Sequence, residues 1–283
     1  MSQGSPATST ARLARRCVPL AVAACLVALT TSCSKSDDVT TTAGGVKLVH
    51  KGKLTTCTHL PYAPFQSEKN GKVVGFDVSV MDLVAKKLGV KQDIIDKSFE
   101  TIKTGADLNA GLCDVAAAGM TITDERKQNL DFSDPYFDAD QALLARKGVK
   151  AKTLDDIKSG KLKLGSQAAT TGEDLAHKKG VDPQSFESSD AELNGLRTGQ
   201  VDVLVQDYPV VQNWLKDSAV KDKFVLLNTV PTGEEYGFAV KKGGNPKLLA
   251  AINKAIGQAK KDGTYKKLYE KWIGPMPKDG AAK

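Results

Sequence analysis

The sequence predicts an α/β protein of two lobes, the second inserted into the first. Two features carry that prediction. Short apolar runs of strand length alternate with amphipathic runs of helix length, the pattern of a largely parallel sheet covered by helices. The pattern restarts after the apolar run 142–146, and a strand of the first kind returns at 236–240. A chain that leaves one lobe and comes back to it needs two crossing segments.

The order of elements follows from local chemistry. Residues 1–16 are polar and basic, and residues 17–29 are apolar but short for a membrane span. They read as a signal peptide, residues 1–32, ending at Thr-Thr-Ser just before Cys33. Cys33 then resembles the lipid-accepting cysteine of a bacterial lipobox, although Val22-Ala23-Ala24-Cys25 matches that pattern more literally. Cleavage at Cys25 leaves an apolar tail, so Cys33 is the reading adopted. Residues 33–50, rich in Thr, Ser, Gly and Asp, read as a flexible tether. The first lobe then takes residues 51–143 and 234–283, and the inserted lobe residues 144–233.

Within the first lobe, strands are expected at 53–58, 91–95 and 114–118, with helices at 77–88 and 102–111. In the second, helices at 153–159, 171–179 and 190–198 alternate with strands at 162–165, 201–205 and 225–227. Helices at 245–261 and 264–273 close the chain. Composition excludes some function classes. The formal charge of +7 falls to +4 once Arg12, Arg15 and Arg16 leave with the signal peptide. The lysines are interleaved with acids, so no nucleic-acid footprint is expected. His50, His59 and His177 lack metal-site spacing, and no phosphate loop or Gly-x-Ser-x-Gly occurs, so neither metal nor cofactor is expected.

The stretch 119–126, Gly-Met-Thr-Ile-Thr-Asp-Glu-Arg, is the most informative. Thr123 suits an N-cap, and Asp124 and Glu125 suit the positive end of the helix dipole. Arg126 does not. Either a ligand carboxylate sits beside it, or it is a surface Arg paired with Asp or Glu.

Several stretches in this order resemble the family 3 extracellular solute-binding proteins, the amino-acid-binding proteins of ABC importers. They are Pro61-Tyr62-Ala63-Pro64-Phe65, Val74-Gly75-Phe76-Asp77-Val78, residues 114–126, Leu130 through Tyr136, Ala169-Thr170-Thr171-Gly172-Glu173 and Val201 through Asp207. The resemblance implies a type II periplasmic-binding-protein-like fold, two α/β lobes on a two-segment hinge with the ligand between them. It implies that Arg126 binds the ligand α-carboxylate, helped by Gly119 and Thr121 and by the helix start at Thr170 and Thr171. Asp207 takes the α-ammonium, and Tyr62 and Phe99 flank the side chain. The family often carries an acid near the position of His59, and this departure bears on ligand choice.

Each assignment has a plainer alternative. The Thr170–Glu173 spacing is that of a capping box, Asp207 could be an N-cap, and Tyr62 and Phe99 could be core. The resemblance implies a monomeric, lipid-anchored binding protein at the outer face of the cytoplasmic membrane, handing an amino acid to a permease. The rival readings are an enzyme on the same fold, a dehydratase of prephenate-like acids using Glu234 or Glu235, and a ligand-sensing receptor. Because His59 does not suit an ammonium or guanidinium, glutamine or glutamate is expected ahead of lysine or arginine. Cys57 and Cys113 fall on neighbouring strands. An oxidising location permits a disulfide, but parallel strands in register would hold the two too far apart. Both outcomes stay open from sequence.

Overall fold

The computed structural model describes residues 39–277. The signal peptide, Cys33 and the first part of the tether lie outside the described residues. Two five-stranded mixed sheets form the two lobes. The first is built from β1 (Lys53–Thr58), β2 (Lys91–Asp96), β3 (Val115–Ala116), β4 (Leu130–Phe132) and, later in the chain, Ala239–Lys241. Two-residue β5 (Phe137–Asp138) leads into β6 (Gln141–Arg146), the first strand of the second sheet. That sheet continues with β7 (Leu164–Gln167), β8 (Gln184–Phe186), β9 (Val203–Asp207) and β10 (Phe224–Val230). The chain returns through β11 (Glu235–Tyr236) into β12 (Ala239–Lys241).

The spatial orders are β2-β1-β3-β12-β4 and β8-β7-β9-β6-β10. In each, three parallel strands are followed by an antiparallel one. β5 and β11 pair antiparallel, Tyr236 opposite Phe137. Each crossing segment therefore feeds the antiparallel strand of the lobe it enters. The expected boundary at 143/144 falls inside β6, all of which pairs in the second sheet.

Helix α1 (Phe76–Leu88) buries Val80, Met81 and Val84 and stops at Gly89, whose φ of 70° suits a residue without Cβ. Helices α2 (Phe99–Lys103) and α3 (Asp124–Lys127) are short. In the second lobe α4 (Thr171–Lys178) and α5 (Ser189–Thr198) cover the sheet, and α6 (Pro246–Lys261) and α7 (Thr264–Trp272) return to pack on the first lobe. An aromatic layer lies under the crossing. Tyr136 stacks on Phe238 with centroids 4.1 Å apart, and Phe76 meets Tyr265 edge-on at 5.4 Å.

Several expectations change. The segment 39–50 is not all tether: Thr40–Thr41 pairs with Lys47–Leu48, and Val46 and Leu48 are buried. The Asp114 carboxylate holds it, accepting from Val49 N and Thr55 N at 2.8 Å each. The helix expected at 102–111 starts at Phe99 and breaks at Gly105, where φ is 77°. The strand expected at 236–240 splits at Gly237. Cys57 and Cys113 form a disulfide, with Cα atoms 5.7 Å apart. The register argument against it fails because Cys113 is not in a strand. β3 starts only at Val115, and Cys57 stands opposite Ala116. Ahead of it the chain bends at residues 111–114, and Cys113 comes within reach of Cys57.

Candidate ligand-binding site

One cleft is lined by His59, Tyr62, Phe99, Gly119, Thr121, Arg126, Thr170, Thr171 and Asp207, together with Gln66, Ala118 and Gln167. All nine expected binding residues are thus brought together. Their positions share a rule. His59 follows β1, Ala118 and Gly119 follow β3, Gln167 ends β7 and Asp207 ends β9. These are the carboxyl ends of the parallel strands, where open α/β sheets leave a crevice.

Arg126 sits in α3 behind the Thr123 cap, whose hydroxyl accepts from Arg126 N at 3.2 Å. Arg126 as a whole is 6% exposed. It donates to Thr121 O at 2.9 Å and, in the other lobe, to Ala169 O at 3.2 Å. The Phe99 ring lies 5.4 Å from its Cζ. Among the described residues it forms no ion pair. The surface-pair alternative is therefore excluded. Burial pushes the guanidinium pKa down, and the more distant Asp174, Asp207, Glu234 and Glu125 only partly offset this. A buried cation held by carbonyl oxygens alone lacks a compensating charge.

Gly119 is placed by a buried carboxylate. Its N–H donates to Asp77 Oδ2 at 2.8 Å, and Tyr136 donates to Asp77 Oδ1 at 2.7 Å. Gly119 has φ 56°, and a Cβ there would lie 2.8 Å from the Tyr62 ring. No other residue fits this conformation and this contact together.

The second lobe offers a helix start. Thr170 Oγ1 accepts from Glu173 N at 3.3 Å and donates to Gln167 O at 2.7 Å. The capping box is incomplete, because Glu173 turns to Ala169 N at 2.8 Å instead. The backbone N–H groups of Thr170 and Thr171 meet no protein acceptor among the described residues, and such groups suit an anion.

Asp207 is 5% exposed. It stands at the N-cap position of the helix that begins at Tyr208, but its side chain makes no capping bond. It accepts from Tyr62 at 2.5 Å, from Gln141 Nε2 at 2.5 Å and from the hydroxyl of Tyr236. Burial pushes its carboxyl pKa up, while the hydroxyls of Tyr236 and Tyr62 and the Gln141 amide pull it back. Tyr62 differs from the expectation of a flanking ring alone: its hydroxyl spans the cleft to Asp207 and to Gln206 at 2.9 Å. His59 also differs. Its Nδ1 lies 2.9 Å from Lys97 O and its Nε2 3.0 Å from Glu187 O, so both nitrogens are engaged by backbone. Gln141, Tyr236, Gln206 and Asp77 escaped the sequence reading. Gln141 left one trace, a polar residue heading a strand otherwise apolar through Ala145.

The bacterial extracellular solute-binding proteins, family 3, match over residues 54–275. A probable histidine-binding protein of Neisseria gonorrhoeae is 35% identical over 218 residues, covering 75% of this chain and 80% of its own. The ABC transporter glutamine-binding protein GlnH of Bacillus subtilis (strain 168) is 34% identical, over 75% of this chain and 77% of its own. Among solved structures, an ancestral arginine-binding protein bound to glutamine superposes with a TM-score of 0.73 at 41% identity, over 79% of this chain and 99% of that one; it is also known bound to arginine. By sequence and fold alike, the chain belongs to the family 3 bacterial extracellular solute-binding proteins, and is a binding protein rather than an enzyme.

Proposed function

We propose that this protein is the substrate-binding component of an ABC importer, capturing a polar L-α-amino acid and delivering it to a membrane permease. One observation carries the reading: a buried Arg126, without an acidic partner among the described residues, shares a closed cleft with a buried Asp207. Arg126, Thr121 and the α4 start take the α-carboxylate, and Asp207 takes the α-ammonium. Charge-assisted bonds of this kind contribute about 1.5–3 kcal/mol each. Glutamine or glutamate is expected ahead of lysine or arginine. The cavity is about 10 Å³, room for one water and far less than an amino acid fills. Binding therefore requires the lobes to part at β5 and β11 and then close, driven by the ligand's preference for the closed form. The protein acts as a monomer, held at the outer membrane face by lipid on Cys33. Among the described residues no helix is long and apolar enough to cross a membrane.

Calorimetric titration of the mature protein with each proteinogenic amino acid tests the reading. A polar amino acid gives saturable heat, and scattering records a fall in radius of gyration on binding. No heat with any amino acid overturns it. Cys33→Ala releases the protein from membranes with binding unchanged; a wild-type protein that carries no lipid sinks the anchor.

A further inference from the structure

Two cleft residues are used by nothing described so far. Gln66 and Gln167 are 0% and 1% exposed, line the cleft, and the side-chain oxygen of each lacks a hydrogen-bond partner among the described residues. A buried acceptor left unmade is destabilising. The Gln66 amide has a fixed sense, because its Nε2 donates to His59 O at 3.4 Å. Its oxygen is the free end. The Gln167 side chain makes no hydrogen bond among the described residues, so it can offer both a donor and an acceptor.

We propose that Gln66 and Gln167 recognise the ligand's side chain, and that this side chain ends in an uncharged amide or urea group. The proposal rests on the amino-acid-binding reading of the same cleft. A terminal amide brings N–H donors for the two free oxygens and a carbonyl for the Gln167 NH₂. A carboxylate brings only acceptors. It would face the Gln66 oxygen, and the cleft has no spare charged donor to turn to it: Arg126 serves the α-carboxylate, and both His59 nitrogens already face carbonyl oxygens. A guanidinium or ammonium fares no better. Among the described residues Asp207 is the one carboxylate lining the cleft, and it serves the α-ammonium; Glu234 stands behind the lining, its Oε2 accepting from Thr171 and Gln141. With Arg126 and Asp207 balanced by the ligand's own backbone charges, any side-chain charge stays uncompensated in a closed, dry space. A leucine-like chain leaves both glutamine oxygens unpaired.

The test is calorimetry on the mature protein with glutamine, asparagine, citrulline, glutamate, arginine, lysine and leucine. One of the three uncharged amide or urea ligands binds tightest, by roughly 10-fold or more over the other four. Gln66→Leu and Gln167→Leu each weaken that ligand roughly 10-fold while leaving leucine's affinity equal or higher. Gln66→Glu raises the rank of arginine or lysine. Glutamate, arginine, lysine or leucine binding tightest to wild type overturns the proposal and leaves the amino-acid reading standing. Equal weakening of every ligand in both Leu variants also overturns it, since that marks a structural role. No binding of any amino acid overturns both readings. Should a Leu variant fail to give a cooperative melt, the wild-type ranking and Gln66→Glu still decide.

Discussion

The two lobes place the same strand order behind one cleft, but they hold their site residues differently. In the second lobe Asp207 is the last residue of β9, a five-residue strand flanked by β7 and β6 along most of its length. The ladder fixes the backbone, and Tyr62, Gln141 and Tyr236 orient the carboxylate. In the first lobe β3 has two residues, and past Ala117, whose N–H still reaches Cys57 O, the binding segment leaves the parallel ladder. Side chains replace the ladder. Asp77 holds Gly119 N, Thr58 Oγ1 donates to Ala117 O at 2.7 Å, and the Cys57–Cys113 bridge ties the turn ahead of β3 to β1. With so short a strand the braces of the first lobe fall on the backbone of the binding segment, whereas in the second lobe the ladder fixes the backbone and the braces fall on the Asp207 carboxylate.

The largest effects test whether the lobes contribute opposite ends of one clamp. Arg126→Met and Asp207→Asn are each expected to remove measurable binding, a loss of about 3–5 kcal/mol, because each strands a ligand charge in the closed cleft. Arg126→Met should not lower the ligand-free melting temperature, since it removes a buried cation that no acid balances. Calorimetry and thermal melts read the two effects separately. Near-wild-type affinity in either variant breaks the clamp.

The disulfide comes next. It closes a loop of 56 residues' separation, and the chain-entropy account gives about 4 kcal/mol, with measured bridges often nearer 2. Cys57→Ser with Cys113→Ser should lower unfolding stability by that order, and Arg126-side affinity with it. Denaturant titration of the double variant is the measurement. Unchanged stability would remove the bracing argument for the first lobe.

A smaller effect is pH-dependent and again confined to the first lobe. Burial pushes the carboxyls of Asp77 and Asp114 up to about 6 each, against the donors that hold them. The folded protein therefore keeps these protons where the unfolded chain has lost them. Stability from each group is present below the ordinary carboxyl range and falls as pH rises from about 4 to about 6, by up to roughly 3 kcal/mol per group. Asp77→Asn should flatten its share of that slope while weakening binding through Gly119. Melting temperatures from pH 4 to 7 decide. A slope identical to wild type would show that Asp77 is charged throughout.

The smallest effect lies in the second lobe. Thr170→Ala removes the α4 cap and should lower stability by about 1 kcal/mol. Thr170→Ser should restore it. An affinity loss larger than the stability loss would mark the Thr170 hydroxyl as a ligand contact as well as a cap.

The elements written in local chemistry were legible. Lys53–Thr58 is a strand within the expected bounds, Gly89 and Thr123 cap where expected, and the return of the chain after the insertion follows from a second cycle of strands and helices. Arg126 stood out because a cation in a first helical turn opposes the dipole, and the ordered motifs brought the other eight cleft residues with it. Burial, partners and register were not legible, because they depend on what other parts of the chain bring close. Nothing near residue 126 says whether an acid will meet its guanidinium. Gln141 and Tyr236 reach Asp207 from the two crossing segments, 66 and 29 residues away. Asp77 acts on Gly119 across 42 residues. The bridge turned on where β3 begins, because Cys113 lies ahead of its first residue, Val115, and the strand register does not set its distance from Cys57. Sequence by itself determined the alternation, the caps and the residue types that can hold a zwitterion. The tertiary structure decided which polar atoms were left without partners, because hydrogen bonds over such separations are settled only when the sheets, the crossing and the cleft have formed together.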